Sequence, residues 1–188
     1  MSEYRLTRDF YMRDTVVVAR ELLGKMLVRK IGKTSVSGMI TETEAYRQND
    51  DPASHAHKGI TERNKAMFGE VGCAYVYFTY GMHYCMNVVA RDDKYKAGAV
   101  LIRSLEPHSG IDIMIKNRKM HQLETLTNGP GKITKALDIT KKQYGEDLVT
   151  SDTLYIIDGI NIKRKVAAGT RVGIKKATDK LWNFRVIR

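Results

Sequence analysis

Two apolar, β-branched runs, Met26–Arg29 and Val36–Thr43, are joined by a few residues around Gly32-Lys33. So short a link admits a hairpin, whereas a parallel pair would need a connection of roughly a dozen residues or more, so the pairing is antiparallel. The same grammar recurs. Ala74–Thr79 and Tyr84–Ala90 flank the turn Tyr80-Gly81-Met82-His83, and Leu154–Ile157 and Ile160–Ile162 flank Asp158-Gly159, the strongest short hairpin signal in the chain. Ala99–Leu105 is an almost continuous apolar run, as expected of a strand buried on both faces, and Arg103 is the one charge in it. Arg171–Ile174 reads as a last core strand, with Trp182 and Phe184 closing the core.

Helical signals lie between these runs. Asp14 can cap a helix that carries Val17, Val18, Leu22 and Leu23 on its inner side and stops at Gly24; Arg63–Phe68 reads as a short helix ended by Gly69. Ser109 can cap a helix bearing Ile111, Met114 and Ile115, and Asn128-Gly129-Pro130 opens one bearing Ile133, Ala136 and Leu137. The expected class is α+β: a mainly antiparallel sheet with helices packed around it. With 188 residues, 43% of them hydrophobic, and no shift in composition, we expect a single domain spanning 1–188.

The charge is strongly positive. Lys and Arg number 32 against 21 Asp and Glu, a formal +11, and such an excess points first to a polyanionic partner. Nucleic acid ranks ahead of an anionic membrane because no basic amphipathic helix or apolar anchor accompanies the charge, and no stretch reaches membrane-spanning length. The N-terminal residues lack the apolar core of a signal peptide, and Cys73 and Cys85 read as reduced core thiols. The expected location is cytoplasmic, associated with the nucleoid through DNA.

The chemistry-bearing residues gather where the Val36 run gives way to a loop: Glu42, Glu44 and Tyr46, then Asp50, Asp51 and His55. Alternation puts Ile40, Glu42 and Glu44 on one face, which is either a solvated strand end or a carboxylate set beside aromatic rings, where it can orient water as a general base. His55 and His57 have weak metal-ligand spacing, with Asp50, Asp51 or Glu44 as a third ligand, but no established metal motif accompanies them. Tyr75 and Tyr84 read as strand filler, whereas Tyr80 and Met82, at the tip of a hairpin, are placed to enter a partner. Gly129-Pro130-Gly131-Lys132 resembles an anion nest without Walker spacing, and is equally a Pro-initiated helix with a surface lysine.

In order along the chain, Glu42-Thr43-Glu44-Ala45-Tyr46, Asp51-x-Ala53-x-His55, Arg63-Asn64-x-x-Met67-Phe68, Tyr75-Val76-Tyr77-x-x-Tyr80-Gly81-Met82, Cys85-Met86-Asn87, Val100-Leu101-Ile102-Arg103-x-Leu105-Glu106-Pro107, Gly129-Pro130-x-Lys132 and Arg171-Val172-Gly173-Ile174 resemble the alkyladenine (3-methyladenine) DNA glycosylases of mammalian type, which also occur in bacteria. The resemblance covers nearly the whole chain. It implies a strongly curved antiparallel sheet with peripheral helices and a protruding hairpin. It implies that Glu44 activates the hydrolytic water, that Tyr46, His55 and Tyr77 line and stack on a flipped base, and that Asn87 crowds the purine 2-amino position. Tyr80, with Met82 beside it, would fill the gap left in the duplex, Arg103 would serve the catalytic region, and Gly131 and Lys132 would hold phosphate.

The implied activity is monofunctional: hydrolysis of the N-glycosidic bond of an alkylated purine in duplex DNA, initiating base excision repair, with no metal or organic cofactor, no lyase step, no membrane and a monomer as the working unit. The alternative is a non-catalytic basic module that senses distorted duplex; a metal-dependent hydrolase on His55 and His57 ranks third. The departures Arg47-Gln48-Asn49 and Thr79 leave the range of lesions open.

Overall fold

A computed structural model describes residues 4–79, 81–159 and 165–187. Two short helices, α1 (Arg8–Tyr11) and α2 (Thr15–Glu21), precede the strands β1 (Met26–Ile31), β2 (Thr34–Arg47), β3 (Ala74–Thr79), β4 (His83–Val89) and β5 (Gly98–Ser109). Helices α3 (Ile111–Arg118) and α4 (Pro130–Ala136) follow, then β6 (Leu154–Ile157), β7 (Val166–Gly169) and β8 (Asn183–Val186). Every described strand pairing is antiparallel, in the order β3-β4-β5-β2-β1-β6, with β8 joined to β2 and β7 to β8. The α+β expectation holds, and the sheet curls about a main apolar core, with Met26, Val28 and Tyr155 forming a small second cluster.

Local chemistry accounts for the elements. The Asp14 carboxylate accepts the free N–H groups of Val16 and Val17 and so starts α2, which buries Val18 and Ala19 against β2 and β5. Val17, expected on the inner side, is 44% exposed: the short helix turns only one narrow stripe to the sheet. Gly81, at the tip of the β3–β4 hairpin, has φ +69, a conformation that costs glycine little and other residues more. α4 packs on β4 and β5 through Ile133 and Ala136, as expected.

Four other expectations change. β2 does not end at Thr43 but runs to Arg47, so Glu44 lies inside a strand, because β5 pairs with it throughout and β8 joins its other edge at Glu42–Glu44. Ser109 is the last residue of β5, its hydroxyl bonded to that of Ser37 at 2.7 Å, and α3 starts instead from Gly110 in the left-handed region without a side-chain cap. Arg63–Phe68 shortens to a 3-10 turn over Lys65–Phe68, closed by Gly69. Arg171–Ile174 forms a loop rather than a strand, Val172 being 56% exposed; the core strand near the C-terminus is β8, which buries Phe184 while Trp182 packs at its edge. The proposed strand Ile160–Ile162 lies outside the described residues, and its neighbour β6 pairs with β1. Among the described residues, no helix is long and apolar enough to cross a membrane.

Candidate active site

The site begins with a change of partner along β2. β1 accompanies β2 as far as Met39, and β8 takes over at Glu42; between them the β2–β5 register slips at Thr41 and again at Arg103. Ile40 pairs with Leu105 and Glu42 with Ser104, neighbours on β5, so Ile40 and Glu42 face opposite sides of the sheet and the uninterrupted alternation expected through Ile40 is broken. Ile40 goes into the core with Ala45, and Thr43 donates its hydroxyl to the Ala19 carbonyl of α2 at 2.6 Å. Glu42, Glu44 and Tyr46 take the other face.

Glu44 has no solvent exposure, and its neighbours are donors. Oε1 accepts from the Val172 backbone N–H at 2.6 Å and from Asn183 Nδ2 at 3.0 Å; Oε2 accepts from the Tyr46 hydroxyl at 2.7 Å and, over a long 3.5 Å, from Arg103 Nη1. Arg103 Nε also lies 3.4 Å from Oε1 and 3.3 Å from Glu42 Oε1, which Asn183 Nδ2 reaches at 2.7 Å. This donor set suits a carboxylate, which only accepts. Loss of solvent, then the neighbouring Glu44 charge, pushes the Tyr46 hydroxyl well above the usual tyrosine range, so it keeps the proton it donates.

A cavity of about 570 Å³ opens on this face. Tyr46, His55, Tyr77, Asn87 and Arg103 line it, so five residues expected from sequence meet there, with Glu44 directly behind Tyr46 and Arg103. The aromatic walls are held by β3 and the loop after β2. His55 Nδ1 is 2.9 Å from the Tyr75 hydroxyl, and its ring stands edge-on to Tyr77 with centroids 4.7 Å apart. Desolvation, then the Arg63 cation, holds the His55 pKa below the usual histidine value, which favours a neutral ring. Asn87 Nδ2 donates to the Tyr75 carbonyl at 2.9 Å, fixing its amide at the wall.

The other expected residues stand elsewhere. Met82, 69% exposed, lies at the hairpin tip beside a second hollow of about 270 Å³ that reaches Gly131 and Thr134; Tyr80 lies outside the described residues. Gly131 packs under His83, where an added Cβ would come within 3.0 Å of the ring, and Lys132 Nζ bonds Asn128 Oδ1 at 2.6 Å. The two-histidine metal alternative finds no third ligand: Asp51 is engaged by Arg171, Glu44 is surrounded by donors, and no group of three His, Cys, Asp or Glu among the described residues is arranged to hold a metal.

Sequence reasoning missed several participants. Tyr75, read as filler, is buried yet turns its hydroxyl to His55 at the cavity wall. Asn183 carried no signal at all. The loop from Val172 to Lys176 forms a further wall; its Arg-Val-Gly-Ile run was visible, but as a core strand. Lys175 and Lys176 are exposed at the rim.

Comparison with known proteins gives a consistent result. The family model described as "Methylpurine-DNA glycosylase (MPG)" matches residues 9–188. A Prosthecochloris aestuarii protein named "Putative 3-methyladenine DNA glycosylase" is 49% identical, over 95% of this chain and 86% of its own. Proteins of the same name from Clostridium acetobutylicum and Desulfitobacterium hafniense are 45% and 46% identical, over 97% and 96% of this chain and 94% of each relative.

Proposed function

Because the chain belongs to the methylpurine-DNA glycosylase family, we propose that it releases alkylated purines of the 3-methyladenine type from duplex DNA, flipping the nucleotide into the 570 Å³ cavity and hydrolysing its N-glycosidic bond. The observation that carries this reading is a fully buried carboxylate, Glu44, set behind a cavity walled by Tyr46, His55 and Tyr77. Unstacking a paired base costs a few kcal/mol, which Tyr80 offsets by filling the vacated stack, with Met82 beside it on the hairpin. An N3- or N7-alkylated purine is cationic; the charge weakens its bond to the sugar and favours stacking on the tyrosine faces.

Glu44 Oε1 is occupied by two close donors, whereas Oε2 has one close donor and the long contact to Arg103. The attacking water therefore donates to Oε2 at the seam with Arg103, which lines the cavity. As water attacks C1′ on the face opposite the base, Glu44 takes its proton while the carboxylate charge stabilises an oxocarbenium-like sugar, as in inverting glycosidases. Asn87 narrows the wall against the 2-amino group of normal guanine. Lys175 and Lys176 stand exposed at the rim rather than desolvated as an amine nucleophile requires, so the product is an abasic site and not a cut strand. Neither a metal nor an organic cofactor enters the reaction. Cations outside the cavity, the half-buried Lys132 among them, hold phosphates without reading sequence.

The test is Glu44→Gln assayed on duplex carrying a methylated purine. Base release is expected to vanish while the variant still binds the lesion duplex; excision near the wild-type rate would remove Glu44 from the mechanism, and binding without release by the wild type would leave only a damage-sensing module. Borohydride treatment should trap no protein–DNA adduct.

A further inference from the structure

Behind the site lies a buried ion pair that the mechanism does not use. The side chains of Arg171 and Asp51 both have no solvent exposure, and they meet in a two-pronged contact: Nη1 to Oδ2 at 2.6 Å and Nη2 to Oδ1 at 2.7 Å. The Ala53 backbone N–H at 3.2 Å and that of Arg47 at 3.4 Å complete the shell of the carboxylate. Such a pair is weak evidence for stability, since well-packed apolar side chains of similar volume commonly do as well or better. Its presence therefore calls for another reason, and its remaining contacts supply one. Arg171 Nη1 also donates to the Ala45 carbonyl at 2.8 Å, between Glu44 and Tyr46, and the guanidinium lies 4.6 Å from the centre of the Tyr46 ring. The next residue, Val172, gives its N–H to Glu44 Oε1.

The loop that follows has little else to hold it. Among the described residues, 171–176 make no backbone–backbone hydrogen bond, and the turn passes through Gly173 at φ +77 with Val172 exposed. We infer that Arg171 and Asp51 are positioning residues: their ion pair clamps the 171–176 loop to β2, so that the Val172 N–H occupies Glu44 Oε1 and directs Oε2 to the attacking water. The pair touches neither the cavity nor the reacting atoms and acts through Glu44, Tyr46 and Val172. The inference rests on the reading of Glu44 as the water-activating base. The fork geometry matters as well as the charge, because a lysine ammonium cannot bridge both Asp51 oxygens and the Ala45 carbonyl in the same plane.

Single-turnover excision of a methylated purine, the Kd for the same duplex and the melting temperature should be measured for Arg171→Lys, Asp51→Asn and Gly173→Ala beside Glu44→Gln. The clamp variants are expected to lose about a hundredfold in excision rate, the scale of a reacting group displaced by an ångström, while Kd stays near wild type. Arg171→Lys is expected not to rescue. Gly173→Ala leaves the buried pair intact and strains the loop through the positive φ, its Cβ meeting no protein atom within 4 Å; because Gly173 also lines the cavity, only a slower excision with Kd unchanged counts as the same signature if a core variant fails to fold. Folded clamp variants that excise at the wild-type rate, or a loss wholly accounted for by the unfolded fraction, would overturn the clamp. If Glu44→Gln is inactive while they are not, the clamp alone falls; if Glu44→Gln is itself active, the reading beneath it falls.

Discussion

Tyr46 does two things at once: its ring walls the cavity and its hydroxyl donates to Glu44 Oε2 at 2.7 Å. Tyr46→Phe separates them. A hydrogen bond to a charged group is worth roughly 1.5–3 kcal/mol, so we expect single-turnover excision about ten- to a hundredfold slower, with binding almost unchanged because the stacking face remains. Equal rates for both proteins would show that the hydroxyl does not orient the carboxylate. His55 yields a second expectation. Its folded pKa lies below the unfolded value of 6.5, so as pH falls through 6.5 the unfolded chain takes up the proton first. Stability present above that pH is lost down to the folded pKa, and a His55→Gln variant should show a shallower fall of Tm between about pH 7 and pH 5. At this scale sequence reading found the residues whose chemistry clashes with their surroundings: Arg103 in an apolar strand, Glu44 on a strand face. It missed Asn183 and the role of Arg171, because their partners are 139 and 120 positions away and nothing in local spacing records that distance.

Among the elements, the start of α2 has consequences beyond its own length. Asp14 caps the helix and also binds Arg47 Nη1 at 2.6 Å, and Arg47 lies over Trp182 and Tyr95 at 4.6 and 4.3 Å. Asp14→Ala should therefore cost about 1–2 kcal/mol, the upper part of the range for a lost cap, read as a lower midpoint of denaturation. The β3–β4 hairpin makes the opposite prediction. On the wedge role proposed for it, Tyr80→Ala should leave Tm nearly intact while slowing excision, most for well-paired lesions, since these cost most to unstack. A large drop in Tm, or equal losses on paired and mismatched lesions, would make Tyr80 a packing residue instead. Two of the three hairpins read from their turn residues, β1–β2 and β3–β4, form as expected, for their signals are local, and the third, at Asp158-Gly159, runs outside the described residues. The stretch Arg171–Ile174 misled because an apolar pattern does not say which side is wet: Val172 and Ile174 line the cavity, and the core strand is instead β8, whose Phe184 closes the core as expected.

At the scale of the whole molecule, the excess of 32 basic over 21 acidic side chains acts on DNA in a way that the cavity does not. Each phosphate neutralised releases condensed counterions, and log K for undamaged duplex should fall linearly with log salt at a slope near −0.9 per contact. Excision by enzyme already saturating its lesion should be nearly indifferent to salt, because the Glu44 carboxylate is fully buried and screened little. The two dependences can be separated residue by residue. Lys132→Ala and Lys175→Ala each remove a half-buried or rim cation and should reduce the slope by about one while leaving the saturated rate alone. Arg103→Gln, by contrast, should depress the saturated rate, since its guanidinium spans Glu42 and Glu44 at the cavity wall, with a slope close to wild type. Titrations over a salt series, paired with single-turnover rates at each concentration, decide it: if Lys132→Ala left the slope unchanged and lowered the saturated rate instead, its contact with Asn128 would support the fold of the site, and the phosphate role assigned to it would have to be given up.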